Sequence, residues 1–120
     1  MQARQTVPHR SHCALALALV ICGTPASAGD IARGQRLLAQ YQCGACHAIP
    51  RVDDARGRAG PPLEKFGRRA YIAGHVPNNA DNLARWIADP RALVPDTAMP
   101  NMGVSPDDAR AMAAYLLTLQ

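Results

Sequence analysis

The chain has 120 residues, of which 48% are hydrophobic, 18% charged and 4% aromatic, and its formal net charge is +4. This length is enough for one domain. A domain this small, with few large side chains, is only marginally stabilised by its own core. A basic chain can indicate a nucleic-acid partner, and this depends on where in the chain the basic residues lie.

The first 28 residues predict a secretory signal peptide. Arg4 and Arg10 lie in a polar start, residues 13–22 form an unbroken apolar run, and residues 26–28 read Ala-Ser-Ala, which is typical of a cleavage site. The apolar run is shorter than the about 20 residues that a membrane-spanning helix needs. We therefore expect residues 1–28 to be removed, and residues 29–120 to form a periplasmic domain without stable membrane insertion.

Removal of the signal peptide changes the charge and the cysteine count. Residues 29–120 keep 11 of the 13 basic residues and all 9 acidic residues, so their formal charge is +2. This balance gives no argument for a nucleic-acid partner. Cys13 and Cys22 leave with the signal peptide, and one remaining pair, Cys43 and Cys46, is too small a set for a disulfide framework.

Residues 29–120 predict short helices joined by loops rich in proline and glycine, without the alternating apolar pattern of a strand. The first helix is predicted to have Asp30 as its N-cap. Gly34 lies on its apolar face, where glycine costs about 1 kcal/mol relative to alanine. A second helix crossing closely at this point would explain that glycine. The other apolar positions at helical spacing are Ile31, Leu37, Leu38 and Tyr41.

The middle of the chain predicts one further helix. Residues 49–62 are predicted to be a loop, and residues 68–73 a short helical piece. Asn79 is the predicted N-cap of a helix over residues 80–89, which ends before Pro90.

The last helix has the clearest start signal. Residues 91–104 are predicted to be an extended loop, after which Ser105 is the N-cap and Pro106 occupies the first helical position. We expect this helix to pack on the first one. Its predicted inner face consists of Ala109, Met112, Ala113, Tyr115 and Leu116.

Residues 43–47 read Cys-Gly-Ala-Cys-His, the attachment pattern of c-type haem. Two thiols three positions apart can reach both vinyl groups on one edge of a porphyrin, and the following imidazole can then bind the iron. We predict that Cys43 and Cys46 attach one haem c and that His47 ligates its iron. Such attachment takes place outside the cytoplasm, and a buried haem would add apolar bulk to a small core.

Two other interpretations of the cysteine pair fit the sequence less well. A thiol–disulfide redox pair usually opens a helix after a strand, whereas this pair follows a predicted helix. A zinc site needs a second pair of ligands. His75 is the only other histidine in residues 29–120, and no further cysteine occurs there.

The residues alone leave the sixth iron ligand open. Met112 is expected to pack in the core, because it lies on the inner face of the last helix. Met99 and Met102 share a proline-stiffened loop that can bring a thioether across the haem face. A lone loop histidine such as His75 is more often solvated than bound.

In these motifs the chain resembles the class I c-type cytochromes, over nearly all of residues 29–120. Gly60-Pro61-Pro62-Leu63 is similar to the family's G-P-x-L turn, and Phe66-Gly67-Arg68 to its F-G-R sequence. The resemblance implies that the Pro61 carbonyl accepts a hydrogen bond from His47. It also implies that Arg68 lies near a haem propionate.

Residues 86–99 resemble the family's run into its axial methionine. The resemblance implies that Met99 is the sixth ligand, that Trp86 packs against the haem on the methionine side and that Thr97 donates towards a propionate. One departure is visible, because the mitochondrial members carry a ring of lysines at the haem edge and the matching stretch here has Arg91, Ala92 and Ala98.

The resemblance implies an all-α small cytochrome c fold, with three to five short helices around one covalently attached haem and crossing N- and C-terminal helices. The implied function is that of a one-electron carrier, not an enzyme, in a respiratory or dehydrogenase-linked chain. Its partners would be dehydrogenases, oxidases or other cytochromes. Two alternatives stay open: a haem subunit permanently bound to a dehydrogenase or oxidase complex, and a gas-binding sensor or small peroxidase with an open sixth position.

Overall fold

The computed structural model describes residues 25–120, so that most of the predicted signal peptide lies outside the described residues. Helices dominate, which confirms the all-α prediction. In chain order the elements are α1 (Ala28–Gln40), a one-turn 3-10 helix (Cys43–Ala45), a second one (Phe66–Arg68), β1 (Tyr71–Ile72), β2 (Val76–Pro77), α2 (Ala80–Ala88), α3 (Pro90–Leu93) and α4 (Pro106–Leu117).

The start of α1 differs from the prediction. Ser27, not Asp30, is the N-cap, and its hydroxyl accepts a hydrogen bond from the Asp30 N–H at 3.2 Å. The Asp30 carboxylate in turn accepts from the Ser27 N–H at 3.2 Å, which completes a capping box. The prediction was wrong because it assigned Ser27 to the signal peptide and so placed the cap within residues 29–120.

The crossing of α1 and α4 confirms the reason proposed for Gly34. A Cβ atom on Gly34 would lie 1.9 Å from the backbone oxygen of Ala111. The two helices therefore touch backbone to backbone at this point, which no residue with a side chain permits. Around the crossing, Leu38 and Tyr115 are each 2% exposed and Met112 is 0% exposed.

The segment before α2 also differs from the prediction. Residues 68–73 do not form a helical piece, because β1 and β2 form a small antiparallel hairpin in which Ile72 pairs with Val76. The His75 N–H donates to the Ile72 carbonyl at 3.2 Å and closes the turn. The φ angles of the two central residues are 48° at Ala73 and 84° at Gly74, values that a right-handed helix does not contain.

The caps of α2 and α4 confirm the predictions made from local sequence. The Asn79 side chain accepts from the Asn82 N–H at 2.9 Å, and the Ser105 hydroxyl accepts from the Asp108 N–H at 3.2 Å. Pro90 does more than end α2, because it also opens the short helix α3. A proline is tolerated at a first helical position, where its missing N–H would have no partner. All five residues predicted for the inner face of α4 are buried: Ala109, Met112, Ala113, Tyr115 and Leu116.

Within residues 25–120, every helix is too short or too polar to cross a lipid bilayer.

Candidate functional site

A cavity of about 390 Å³ lies between the cysteine segment, the hairpin, α2 and the loop before α4. Its volume falls in the range of about 300–1,000 Å³ that is usual for cofactor and ligand sites. The fold brings seven of the predicted site residues to its wall: Cys43, Cys46, His47, Pro61, Trp86, Thr97 and Met99. Leu38, Leu83 and Ile87 are among the aliphatic residues that complete the wall.

His47 is held in one tautomer by its neighbour across the turn. Its Nδ1 atom lies 2.7 Å from the Pro61 carbonyl oxygen. A carbonyl can only accept a hydrogen bond, so Nδ1 carries the proton and Nε2 keeps the free lone pair. Imidazoles that bind metals commonly have their second nitrogen fixed in this way. The contact agrees with the role that the resemblance implied for Pro61.

Gly60 supports the same ring, a function that the sequence analysis did not assign. A Cβ atom at this position would lie 2.3 Å from Cε1 and 2.7 Å from Nδ1 of His47. Any residue other than glycine would therefore displace the imidazole from the Pro61 carbonyl. The sequence contained an indication of this function, because the turn at residues 60–63 begins with glycine.

The two cysteines lie on a tight turn directly after α1. Gln42 has a φ of 56°, which reverses the chain, and the His47 N–H then donates to the Cys43 carbonyl at 3.0 Å. Burial raises the pKa of the Cys43 thiol. Thiol–disulfide enzymes depend on a lowered cysteine pKa, so this environment does not favour thiol redox chemistry. As for zinc, the part of the chain that the structure describes contains no group of three or more His, Cys, Asp or Glu residues arranged to hold a metal ion.

Three methionines line the cavity, in different environments. Met112 is 0% exposed under the helix crossing, Met99 is half-buried, and Met102 is 41% exposed. The Met99 N–H donates to the Thr97 hydroxyl oxygen at 3.2 Å, which fixes the backbone just before the thioether. Because this bond uses only the oxygen of Thr97, the hydroxyl proton remains available for another acceptor.

Arg68 lies outside the cavity, and the adjacent Arg69 lines it. Phe66 and Arg68 are the ends of a one-turn 3-10 helix, in which side chains three positions apart point the same way. Arg69 comes three positions after buried Phe66, so its side chain points to the same side as Phe66, towards the cavity. Its guanidinium carbon lies 5.2 Å from the centre of the Phe66 ring. The F-G-R motif alone does not reveal this difference of one position.

The hairpin also contributes residues that the sequence analysis missed. Tyr71 and Ala73 both line the cavity, and Tyr71 is 54% exposed. No signal for this contact existed in the sequence, because the strands are only two residues long.

The residues present fit a c-type haem. Two thiols, one imidazole with a free Nε2 and at least one thioether share a cavity whose other walls are mainly apolar. Such a donor set matches covalent attachment through cysteine together with ligation of iron by nitrogen and sulfur. The apolar wall matches the uncharged body of a porphyrin.

Comparison with known proteins agrees with this chemistry. The cytochrome c family matches residues 31–120. A cytochrome c2 of Rhodoplanes tepidamans is 30% identical over 66% of this chain and 92% of its own length. No solved structure gave a significant match.

In other relatives, the matched region is one part of a larger protein. A cytochrome c oxidase subunit 2 of Alkalihalophilus pseudofirmus is 37% identical over 73% of this chain, and one of Bacillus sp. strain PS3 is 29% identical over 80% of it. The chain covers only 25% and 28% of the lengths of these two relatives. With the family matched from residue 31 to residue 120, this chain belongs to the cytochrome c family, the haem electron carriers that bind haem c covalently.

Proposed function

We propose that the protein is an exported one-electron carrier whose haem is attached through Cys43 and Cys46 and whose iron is ligated by His47 and Met99. When bound, the haem supplies an iron that alternates between Fe(II) and Fe(III). The observation that carries the proposal is the 2.7 Å contact between His47 Nδ1 and the Pro61 carbonyl, beside a cavity with a thioether on its wall. This contact leaves Nε2 as the nitrogen that can bind iron.

The surrounding residues favour the ferrous state. A thioether ligand and a dry apolar wall both stabilise the form with the lower charge and so raise the reduction potential. Half-buried Trp86 contributes apolar surface to the wall, and the Thr97 hydroxyl proton is available to a haem propionate. Among the described residues that line the cavity, Arg69 alone is an arginine, lysine, aspartate or glutamate, so we assign it the propionate contact that the F-G-R motif implied for Arg68.

Export to the periplasm is supported by the basic, apolar and Ala-Ser-Ala pattern of residues 1–28. Mass spectrometry of protein recovered from the periplasmic fraction tests this step. The expected N-terminus is Gly29. A product that retains residues 1–28, or that is found only in the cytoplasm, would contradict it.

A redox titration followed by absorbance tests the electron-carrier function. Protein produced in a host with haem-ligation machinery should show one reversible one-electron transition, and the reduced form should not bind carbon monoxide rapidly. Rapid carbon monoxide binding, or peroxide turnover, would instead indicate a sensor or peroxidase with an open sixth position. A colourless protein would contradict the whole proposal.

A second candidate function is that of a haem domain held permanently in an oxidase or dehydrogenase complex. The observation that favours it is that the matched region forms about a quarter of relatives named cytochrome c oxidase subunit 2. Native electrophoresis of mildly solubilised cells, followed by haem staining, distinguishes the two candidates. A band at the size of the domain alone supports a free carrier, and a band found only at much higher mass supports the complex.

A further inference from the structure

The turn that orients His47 donates few backbone hydrogen bonds. Residues 60–63 contain two consecutive prolines, and proline has no N–H to donate. The turn is fixed at its two ends, where the Gly60 N–H donates to Cys46 and the Leu63 N–H to Ala48, both at 2.8 Å. Between these ends, the proline rings fix their own φ angles but have no N–H to donate, so any further hydrogen bond must reach the proline carbonyl groups.

Arg69 supplies such a donor. Its Nη2 atom donates to the Pro62 carbonyl at 2.5 Å, immediately next to the Pro61 carbonyl that accepts from His47. The guanidinium carbon also lies over the ring of Phe66, 5.2 Å from its centre, within the range of a cation–π interaction. Arg69 therefore links the proline turn to the 3-10 helix that follows it.

Asn78 fixes the backbone from which Arg69 extends. Its side-chain amide donates to the Arg69 carbonyl at 3.0 Å and to the Phe66 carbonyl at 3.1 Å. Its own N–H donates to the Ala70 carbonyl at 3.0 Å. Its Oδ1 atom is buried without a hydrogen-bond partner among the described residues, which is a cost of desolvation. The side chain is thus held by its two donor bonds alone, despite that cost.

We propose that Arg69 and Asn78 are positioning residues for the axial imidazole. The bonds run from Asn78 to Arg69, from Arg69 to Pro62, and through the adjoining Pro61 carbonyl to Nδ1 of His47. Loss of either outer donor gives the proline turn more freedom and weakens the hydrogen bond that orients His47. This inference rests on the proposed role of His47 as an iron ligand.

The test uses the haem-loaded protein in the ferrous, diamagnetic state. NMR measures how fast the His47 Nδ1 proton exchanges with solvent, which reports directly on its bond to Pro61. We expect about three- to tenfold faster exchange in Asn78→Ala and in Arg69→Met, because each variant removes one donor that supports the turn but leaves the Pro61 carbonyl in place. Arg69→Lys should recover part of the protection, because an ammonium group can also donate to Pro62.

Gln35→Ala is the matched control. Gln35 also donates from its side-chain amide to a backbone carbonyl, that of Arg51, but this bond does not involve Asn78, Arg69 or the proline turn. We expect normal exchange of the His47 proton in this variant. The amide proton of Met112, in the core of α4, monitors global opening.

Two results would overturn the inference: unchanged Nδ1 exchange in Asn78→Ala, or an increase equal to that of the Met112 amide, which would indicate general destabilisation. The iron–histidine stretching frequency, measured by resonance Raman in a Met99→Ala background, gives a second readout and should fall in Asn78→Ala but not in Gln35→Ala. If the proposed role of His47 as an iron ligand were wrong, not even the wild-type protein would show a histidine-bound haem.

Discussion

The hydroxyl of Tyr41 donates a hydrogen bond to Oδ2 of Asp108 at 2.8 Å and so connects the end of α1 to the first turn of α4. Arg33 forms an ion pair with the other oxygen of the same carboxylate. One carboxylate therefore fixes two side chains of α1 beside the backbone contact at Gly34. Because the bond between Tyr41 and Asp108 needs the phenol proton, the stability of the helix pair depends on pH.

We expect the protein to lose stability at alkaline pH, because Tyr41 then loses the proton that it donates to Asp108. The hydrogen bond to Asp108 is the main reason why the pKa of Tyr41 lies above its usual value of 10.0. The folded state thus holds the phenol proton more tightly than the unfolded state, so this contribution is complete below pH 10 and is lost as the pH rises through the raised pKa. Urea unfolding of wild-type protein and Tyr41→Phe between pH 7 and pH 11 checks it. The difference between the two should shrink above pH 10, and a constant difference would contradict the prediction.

Gly34→Ala should destabilise the protein although alanine is the better helix former. The new Cβ would meet the Ala111 oxygen at 1.9 Å, and overpacking of this kind costs about 1–3 kcal/mol or more. Arg36→Ala is the control, because it places an alanine at an exposed position of the same helix. Chemical denaturation should show a large loss for the first variant and a change within about 1 kcal/mol for the second.

The two loop methionines can be separated by their spectra. Met99→Ala should abolish the weak long-wavelength band of methionine-bound ferric haem, because half-buried Met99 follows directly on the backbone fixed by Thr97. Met102→Ala should leave the band intact, since Met102 is 41% exposed. Absorption spectra of the two oxidised variants check this. The opposite pattern would identify Met102 as the ligand.

The hairpin turn allows a matched pair of substitutions. Ala73 has a φ of 48°, a left-handed conformation that costs a residue with a Cβ roughly 1–2 kcal/mol. Ala73→Gly should therefore stabilise the protein by roughly 0.5–1 kcal/mol, after allowance for the greater flexibility of glycine when unfolded. Gly74→Ala, at a φ of 84° and with no atom near its Cβ, should destabilise it. Thermal unfolding of both variants checks the two signs.

Protein without haem should not fold stably. Without haem, the largely apolar wall of this cavity of about 390 Å³ would be open to water, at a cost of about 25 cal/mol per Å² of apolar surface. The whole stability of a domain is about 5–15 kcal/mol. A Cys43→Ser, Cys46→Ser double variant, which cannot attach haem, should show little helix by circular dichroism. Native-like helix content in this variant would contradict the prediction.

The sequence predicted those parts of the fold that depend on neighbouring residues. Asn79 and Ser105 were recognised as caps because a cap acts within three residues along the chain. Gly34 was explained correctly because its cost in a helix required a close contact. The hairpin was missed because its strands are too short to produce an alternating pattern, and its turn begins with alanine, not with a residue typical of turns.

The sequence grouped Cys43, Cys46 and His47 because a motif joins residue type to spacing, and the structure brings these three residues to the wall of one cavity. The choice between Arg68 and Arg69 depends on the direction of one 3-10 turn, which two adjacent arginines do not reveal. The links from Asn78 to Arg69 and from Arg69 to Pro62 join segments several residues apart. Such contacts become visible only when the backbone path is known.

The backbone contact between Gly34 and Ala111 also has a consequence for the order of folding. Nearly the whole domain lies between these two residues in the sequence, so their meeting closes one long loop, and long-range contacts of this kind form slowly. A porphyrin already attached next to α1 would give the later segments an apolar surface on which to collapse. We therefore expect attachment of the cofactor to precede the docking of the terminal helices, so that the rate of maturation in the cell sets the rate of folding.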